Sequence, residues 1–152
     1  MHAPGACINQ LNIWVPSKRI FFCGDVINPD EFPRLYVIGG FQLDATSWIS
    51  SLDRIRKLRP QVLIPSRGRV LRGEEAILEF VTSYRDAIQF IHDQTIRLAN
   101  MGHHRDTIAT HLQLPPKLFA NGRLPKPRDP IEWSVKAVYD RCANLNLPTA
   151  CN

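Results

Sequence analysis

The sequence predicts a mixed α/β (α+β) fold, in which helices cover a small sheet. Leu11, Ile13 and Val15 alternate with other residues and predict a strand over residues 10–15. Short apolar runs at 20–23 and 62–64 predict two buried strands. Helical spacing of apolar residues appears between the last two strands and again after them. This order indicates a mixed sheet with functional loops at the strand ends.

The first helix is predicted over 45–58. Asp44 stands at its N-terminus as a capping residue, and Pro60 follows its end. Apolar residues lie at helical spacing between these limits: Trp48, Ile49, Leu52, Ile55 and Leu58. They predict an amphipathic helix with one face on the sheet.

The second helix is predicted over residues 73–102 and would be roughly 40 Å long. Its apolar face runs from Ile77 to Leu98 and includes Tyr84, Ile88 and Ile91. Two interpretations follow: a central packing helix, or a helix that packs on a partner chain. The second makes those three residues the candidate dimer interface.

The remaining sequence predicts helices over 105–112 and from Ile131 onward, where Asp129-Pro130 suits a helix N-terminus. The prolines and glycine of 121–130 predict irregular structure, and residues 144–152 a frayed tail. We predict one unit over 1–72 and a second, helical unit over 73–152.

Bulk properties exclude several classes of protein. The formal net charge is +5, but Lys and Arg are scattered rather than arranged in a stripe, so a nucleic-acid partner is not expected. Neither a membrane-spanning run nor a signal peptide is recognised, which predicts no membrane association and a cytoplasmic location. The four cysteines have no metal-site or disulfide-framework spacing and are predicted to be free thiols: Cys7, Cys23, Cys142 and Cys151.

A family resemblance rests on several short motifs taken together. They are HAPG at 2–5, FCGD at 22–25, PSRGR at 65–69, YRD at 84–86 and IHDQT at 91–95. In order and spacing they resemble the second half of a metallo-β-lactamase-fold hydrolase of the alkyl sulfatase type. The stretches LPP at 114–116 and WSVKAVY at 133–139 are similar to the helical dimerisation segment of that family. The resemblance implies a partial αββα sandwich followed by a helical dimerisation segment.

The same resemblance implies a chemistry. The family hydrolyses esters, in alkyl sulfatases the sulfate esters of long-chain alcohols, at a site with two zinc ions. Such ions lower the pKa of a bound water and polarise the ester. The family's first ligands come from an H-x-H-x-D-H loop that this sequence does not contain. The sequence therefore resembles a truncated form that starts after that loop.

Later ligand positions of the family are carried over one by one. Its bridging carboxylate corresponds to Asp25, which is the one metal ligand retained. Another carboxylate or histidine position corresponds to Ala6, and the last histidine to Arg67. The arginine that helps hold the sulfate corresponds to Gly39. Because zinc usually takes three or four protein ligands, the resemblance implies a degenerate site and no cofactor in this chain.

Three functions stay open. The first is a truncated, degenerate hydrolase that is inactive alone and keeps a role in pairing as a homodimer. The second is a hydrolase half that a separate N-terminal chain completes. The third is a small basic nucleic-acid-binding protein, since residues 106–114 loosely resemble the start of a helix-turn-helix, although no basic recognition helix follows. Whether the chain is itself an enzyme is left undecided by the sequence.

Overall fold

The computed structural model describes residues 1–6, 9–36 and 43–144. Four strands and four α-helices occur in these ranges, in a mixed α/β arrangement that confirms the predicted fold class. The strands are β1 (Ile13–Val15), β2 (Ile20–Gly24), β3 (Val62–Pro65) and β4 (Leu71–Arg72). The helices are α1 (Ala45–Leu58), α2 (Glu74–Asn100), α3 (Arg105–His111) and α4 (Ile131–Asn144). Single 3-10 helices span Pro16–Lys18 and Pro116–Gly122.

The strands form one sheet in the order β1-β2-β3-β4, with a parallel pair at its centre and antiparallel pairs on either side. β1 is shorter than the strand predicted over 10–15. Its first part is replaced by an isolated bridge between His2 and Leu11. The two-residue strand β4 was not predicted, because two residues are too few to show a period.

The two faces of the sheet differ in what covers them. Phe21, Cys23 and Leu63 are fully buried in the core on one face. On the other face, Ile13 pairs with Phe22 across the register, and both are exposed, by 62% and 39%. Within the described ranges, this second face is apolar and largely open to solvent.

Local signals explain the helices. The backbone amide of Thr46 donates a 3.1 Å hydrogen bond to Oδ1 of Asp44, which confirms the predicted N-cap of α1. At the start of α2, Glu74 and Glu75 lie where the helix dipole favours negative charge. None of the helices in the described ranges combines the length and apolar character needed to cross a membrane.

The predicted dimer interface on α2 is corrected by the burial of its residues. Tyr84 is 3% exposed, and Ile88 and Ile91 are 0% exposed within a single chain. Helix α2 contacts α1 as well as α3 and α4, so the chain's own helices cover its apolar face. These three side chains therefore belong to the core and are not available to a partner. Homodimer formation itself stays a prediction.

Candidate functional site

The candidate site lies where the two parallel central strands end. Gly24 ends β2, and Pro65, its register partner, ends β3. The next residues, Asp25 and Ser66, consequently emerge at the same edge of the sheet. A backbone hydrogen bond also connects the two strand ends, because the amide of Ser66 donates to the carbonyl oxygen of Gly24 at 2.9 Å.

Asp25 contacts several other residues at this edge of the sheet. Its Oδ1 accepts a 2.5 Å hydrogen bond from the hydroxyl of Ser66. The same oxygen lies 3.2 Å from Nε of Arg67, forming an ion pair. The backbone amide of Asp25 donates to Oε1 of Gln10 at 3.4 Å. The retained carboxylate is thus held by a hydroxyl and by a guanidinium.

The three candidate metal-ligand positions that the structure describes line one cleft of about 250 Å³: Ala6, Asp25 and Arg67. Two of them, Asp25 and Arg67, form an ion pair although they lie 42 positions apart in the sequence. The rest of the wall includes aromatic and charged side chains: Asn28, Glu31, Phe32, Arg34, Tyr36, Leu43, Trp48 and Tyr84. Gly39, the fourth position named from the sequence, lies outside the described residues, as do Cys7 and Cys151.

A second contact joins the same two loops and was missed by the sequence analysis. Oδ2 of Asp30 accepts a 2.9 Å hydrogen bond from the backbone amide of Arg69, and the guanidinium of Arg69 also donates to Asp30. Gly68, which precedes Arg69, has a φ of +87°. A Cβ at this position would lie 2.6 Å from Oδ1 of Asn28. The sequence predicted loops at the strand ends, but nothing local predicted which loops would meet.

A neighbouring cleft of about 160 Å³ shares part of the wall and reaches α4. Arg34 forms ion pairs at 3.2 Å with Glu31 and at 3.5 Å with Asp129. The rings of Tyr36 and Trp133 meet edge to face with centroids 5.2 Å apart. Burial, together with a hydrogen bond to Asp129, raises the pKa of Tyr36. The helical part of the chain thus contributes to the surroundings of the site.

Across residues 1–6, 9–36 and 43–144, no group of three or more His, Cys, Asp or Glu side chains is arranged to hold a metal ion. The two carboxylates of the cleft each have an arginine beside them, Arg67 for Asp25 and Arg34 for Glu31.

Comparisons with known proteins bear on the fold and the family. A model of the metallo-beta-lactamase superfamily matches residues 1–67. A linear primary-alkylsulfatase of Pseudomonas sp. (strain ATCC 19151) is 29% identical over 143 residues, covering 91% of this chain and 27% of the relative. An alkyl/aryl-sulfatase of Saccharomyces cerevisiae is 28% identical over 144 residues, covering 91% of this chain and 22% of the relative.

A solved structure extends the likeness to three dimensions. The stereoselective inverting sec-alkylsulfatase Pisa1 from Pseudomonas sp. superposes with a TM-score of 0.81 and 21% identity, over 97% of this chain and 25% of that one. The fold of the chain is thus that of metallo-β-lactamase-fold hydrolases. Within that fold, the chain is similar in sequence to alkylsulfatases, as its motifs predicted. It spans about a quarter of the length of the relatives it matches.

Proposed function

We propose that this chain is an alkylsulfatase-like relative that binds no zinc and is inactive by itself. The observation that supports this most is the 3.2 Å ion pair between Nε of Arg67 and Oδ1 of Asp25. The resemblance places a histidine ligand at position 67, and a guanidinium there repels a cation. Zinc usually takes three or four protein ligands, and Ala6 has no donor atom in its side chain. The cleft residues that the structure describes therefore do not fit a zinc ion.

The remaining side chains offer little chemistry of their own. An ester hydrolase needs a metal-activated water or a nucleophile with an adjacent base. Ser66 donates its hydroxyl hydrogen bond to Asp25, but an aspartate is a weak base at neutral pH. That same oxygen already accepts from Nε of Arg67, so two donors engage it at once. Without a metal, the described residues of the cleft accordingly lack a group able to activate a nucleophile.

The test combines metal analysis with an activity assay. The chain is purified from zinc-supplemented medium, its metal content is measured by mass spectrometry, and dodecyl sulfate hydrolysis is followed with and without added zinc. We expect well under one zinc ion per chain and no turnover above buffer. Tightly held zinc at one or two ions per chain, or turnover that Asp25→Asn abolishes, would overturn the proposal.

For the remaining role we propose pairing through the helical half of the chain. The support is the resemblance of residues 114–116 and 133–139 to a helical dimerisation segment. Tyr84, Ile88 and Ile91 are buried, so the contact would use exposed apolar side chains nearby, such as Met101 and Trp133. Sedimentation over a range of micromolar concentrations tests this. A chain that stays monomeric throughout would exclude it.

A second candidate, a hydrolase half completed by another chain, is favoured by the open face of the sheet. This face carries only apolar side chains on its first three strands, all exposed or half-buried: Ile13, Val15, Ile20, Phe22, Val62 and Ile64. A sheet that is apolar on both faces is typical of an inner layer of a protein. About three quarters of the length of the matched relatives lies outside the match. The alternative is therefore that a second chain supplies a layer that covers the open face of the sheet.

Fragment capture tests this alternative. The Pseudomonas linear primary-alkylsulfatase, with its matched stretch deleted and a tag added, is co-expressed with this chain. Retention of the wild type but not of Ile13→Lys/Phe22→Lys would support completion by a second chain. Val70→Lys is the matched control, because Val70 is also an exposed apolar residue but does not belong to the open face of the sheet. If the wild type is not retained beside a soluble fragment, this candidate is excluded.

A further inference from the structure

We propose that Arg67 and Arg69 take over, through ion pairs, the task of joining two loops that a metal ion would otherwise bridge. We call the contact between residues 25–30 and 66–69 the loop clasp. The inference rests on the proposed absence of zinc. It adds that the cleft is not merely short of ligands, because a cation of the chain itself, Arg67, stands at a ligand position and pairs with Asp25.

The first half of the loop clasp is centred on Asp25. One carboxylate oxygen receives the Ser66 hydroxyl at 2.5 Å and Nε of Arg67 at 3.2 Å. A carboxylate that would hold a metal ion also directs an oxygen toward positive charge. Here the positive charge is covalently part of that loop, so it cannot dissociate.

The second half is centred on Asp30. Both of its carboxylate oxygens are used, Oδ2 by the backbone amide of Arg69 at 2.9 Å and Oδ1 by the Arg69 guanidinium. Asp30 is itself fixed by its own backbone amide, which donates to Oδ1 of Asn28 at 3.1 Å. Each acidic residue of one loop is thus matched by one arginine of the other.

Gly68 explains why the two halves act together. Its φ of +87° turns the chain between the two arginines, and the nearest atoms to a Cβ there would be Oδ1 of Asn28 at 2.6 Å and Oδ2 of Asp30 at 2.9 Å. A residue with a side chain would push the loops apart. The side chains of Arg67 and Arg69 are more than half exposed, and single exposed ion pairs contribute little to stability. The loop clasp therefore depends on several contacts made at once.

Hydrogen exchange of the metal-free chain tests the loop clasp directly. In Arg67→Ala/Arg69→Ala we expect the amides of 25–30 and 66–69 to exchange about tenfold faster, while those of β2 and β3 keep the wild-type rate. Arg54→Ala, which removes an exposed arginine from α1, is the matched control and should change neither group. Circular dichroism verifies that the variants remain folded. Wild-type exchange in both loops of the double variant would overturn the inference.

A gain of metal binding tests whether Arg67 stands at a ligand position. The variant Ala6→His/Arg67→His gives the cleft two imidazoles beside Asp25, which is a sufficient donor set for a divalent ion. On titration with Co²⁺ we expect a visible absorption band and a higher melting temperature in this variant, and neither in the wild type. Adding Asp25→Asn should remove both signals.

The outcomes separate the two proposals. Stoichiometric Co²⁺ binding by the wild type would overturn the proposed absence of a metal site, whatever the exchange data show. A double-histidine variant that remains folded but gains no Co²⁺ signal would overturn the placing of Arg67 at the ion's position. Unchanged loop exchange in Arg67→Ala/Arg69→Ala would overturn the loop clasp alone.

Discussion

The backbone amide of Leu35 donates a 3.1 Å hydrogen bond to Oγ of Ser134, which lies 99 residues later in the chain. Both residues are only 3% exposed. Ser134 belongs to α4. Leu35 lies in a loop between Arg34 and Tyr36, and both of these residues line both clefts. The C-terminal helix thereby holds the wall of the candidate site in place.

Replacing Ser134 with alanine should destabilise the chain by about 1–3 kcal/mol, because it leaves the buried amide of Leu35 without an acceptor. Urea unfolding followed by circular dichroism measures the change. Thr107→Ala is a suitable control, since Thr107 lies on the exposed side of α3. Equal stability of Ser134→Ala and wild type would show that another group replaces the hydroxyl.

Local sequence signals predicted much of the fold. The Asp44 cap, the 27-residue helix α2 and the apolar strands β2 and β3 all arise from spacing within a few residues. These features depend on short-range physics: capping, helical periodicity and the burial of apolar runs. The juxtaposition of Asp25 and Arg67 came from family resemblance rather than from spacing.

Contacts between distant parts of the chain could not be predicted in the same way. Periodicity identified the apolar face of α2 that contains Tyr84 and Ile88, but it does not say which element covers that face. The structure shows that helices of the same chain do so. Likewise, Asp30 and Arg69 are 39 residues apart, and neither carries a local sign of the other. Charge alone does not specify a partner.

Asp44 should make the chain sensitive to acid. Burial alone would raise the pKa of its carboxyl, but hydrogen bonds from Thr46 and Ser47 and the charge of Arg141 lower it below the usual range. A group whose pKa is lowered by folding stabilises the protein above its unfolded-state pKa. That stabilisation is lost as the pH falls through the folded-state pKa.

We therefore expect Asp44→Ala to cost about 0.5–2 kcal/mol at neutral pH through loss of the cap. Asp44→Asn keeps a capping oxygen but does not titrate. The difference in stability between wild type and Asp44→Asn should accordingly shrink as the pH is lowered below about 4. Urea unfolding of the three proteins at several pH values measures this. A difference that is constant with pH would mean that the carboxylate charge contributes nothing.

Cys23 should be chemically inert in the folded chain. Burial raises the pKa of its thiol to about 12, despite a weak contact from Sγ to the carbonyl oxygen of Ile27. Only about one molecule in ten thousand would then carry the thiolate at pH 8. Labelling with iodoacetamide, followed by peptide mass spectrometry, should modify Cys23 quickly in urea and very slowly in buffer. Equal rates in both would contradict its burial.

Ile88 distinguishes a core position from a dimer contact. Because its side chain is 0% exposed within one chain, Ile88→Ala should leave a cavity and cost about 2–5 kcal/mol. Such a loss is independent of protein concentration, whereas the loss of a dimer contact grows or fades with concentration. Val70→Ala is the control, because Val70 is 42% exposed and lies outside the helices proposed to pair. Urea unfolding at two concentrations a hundredfold apart makes the measurement. A stability change that varies with concentration for Ile88→Ala, but not for Val70→Ala, would return Ile88 to a dimer interface.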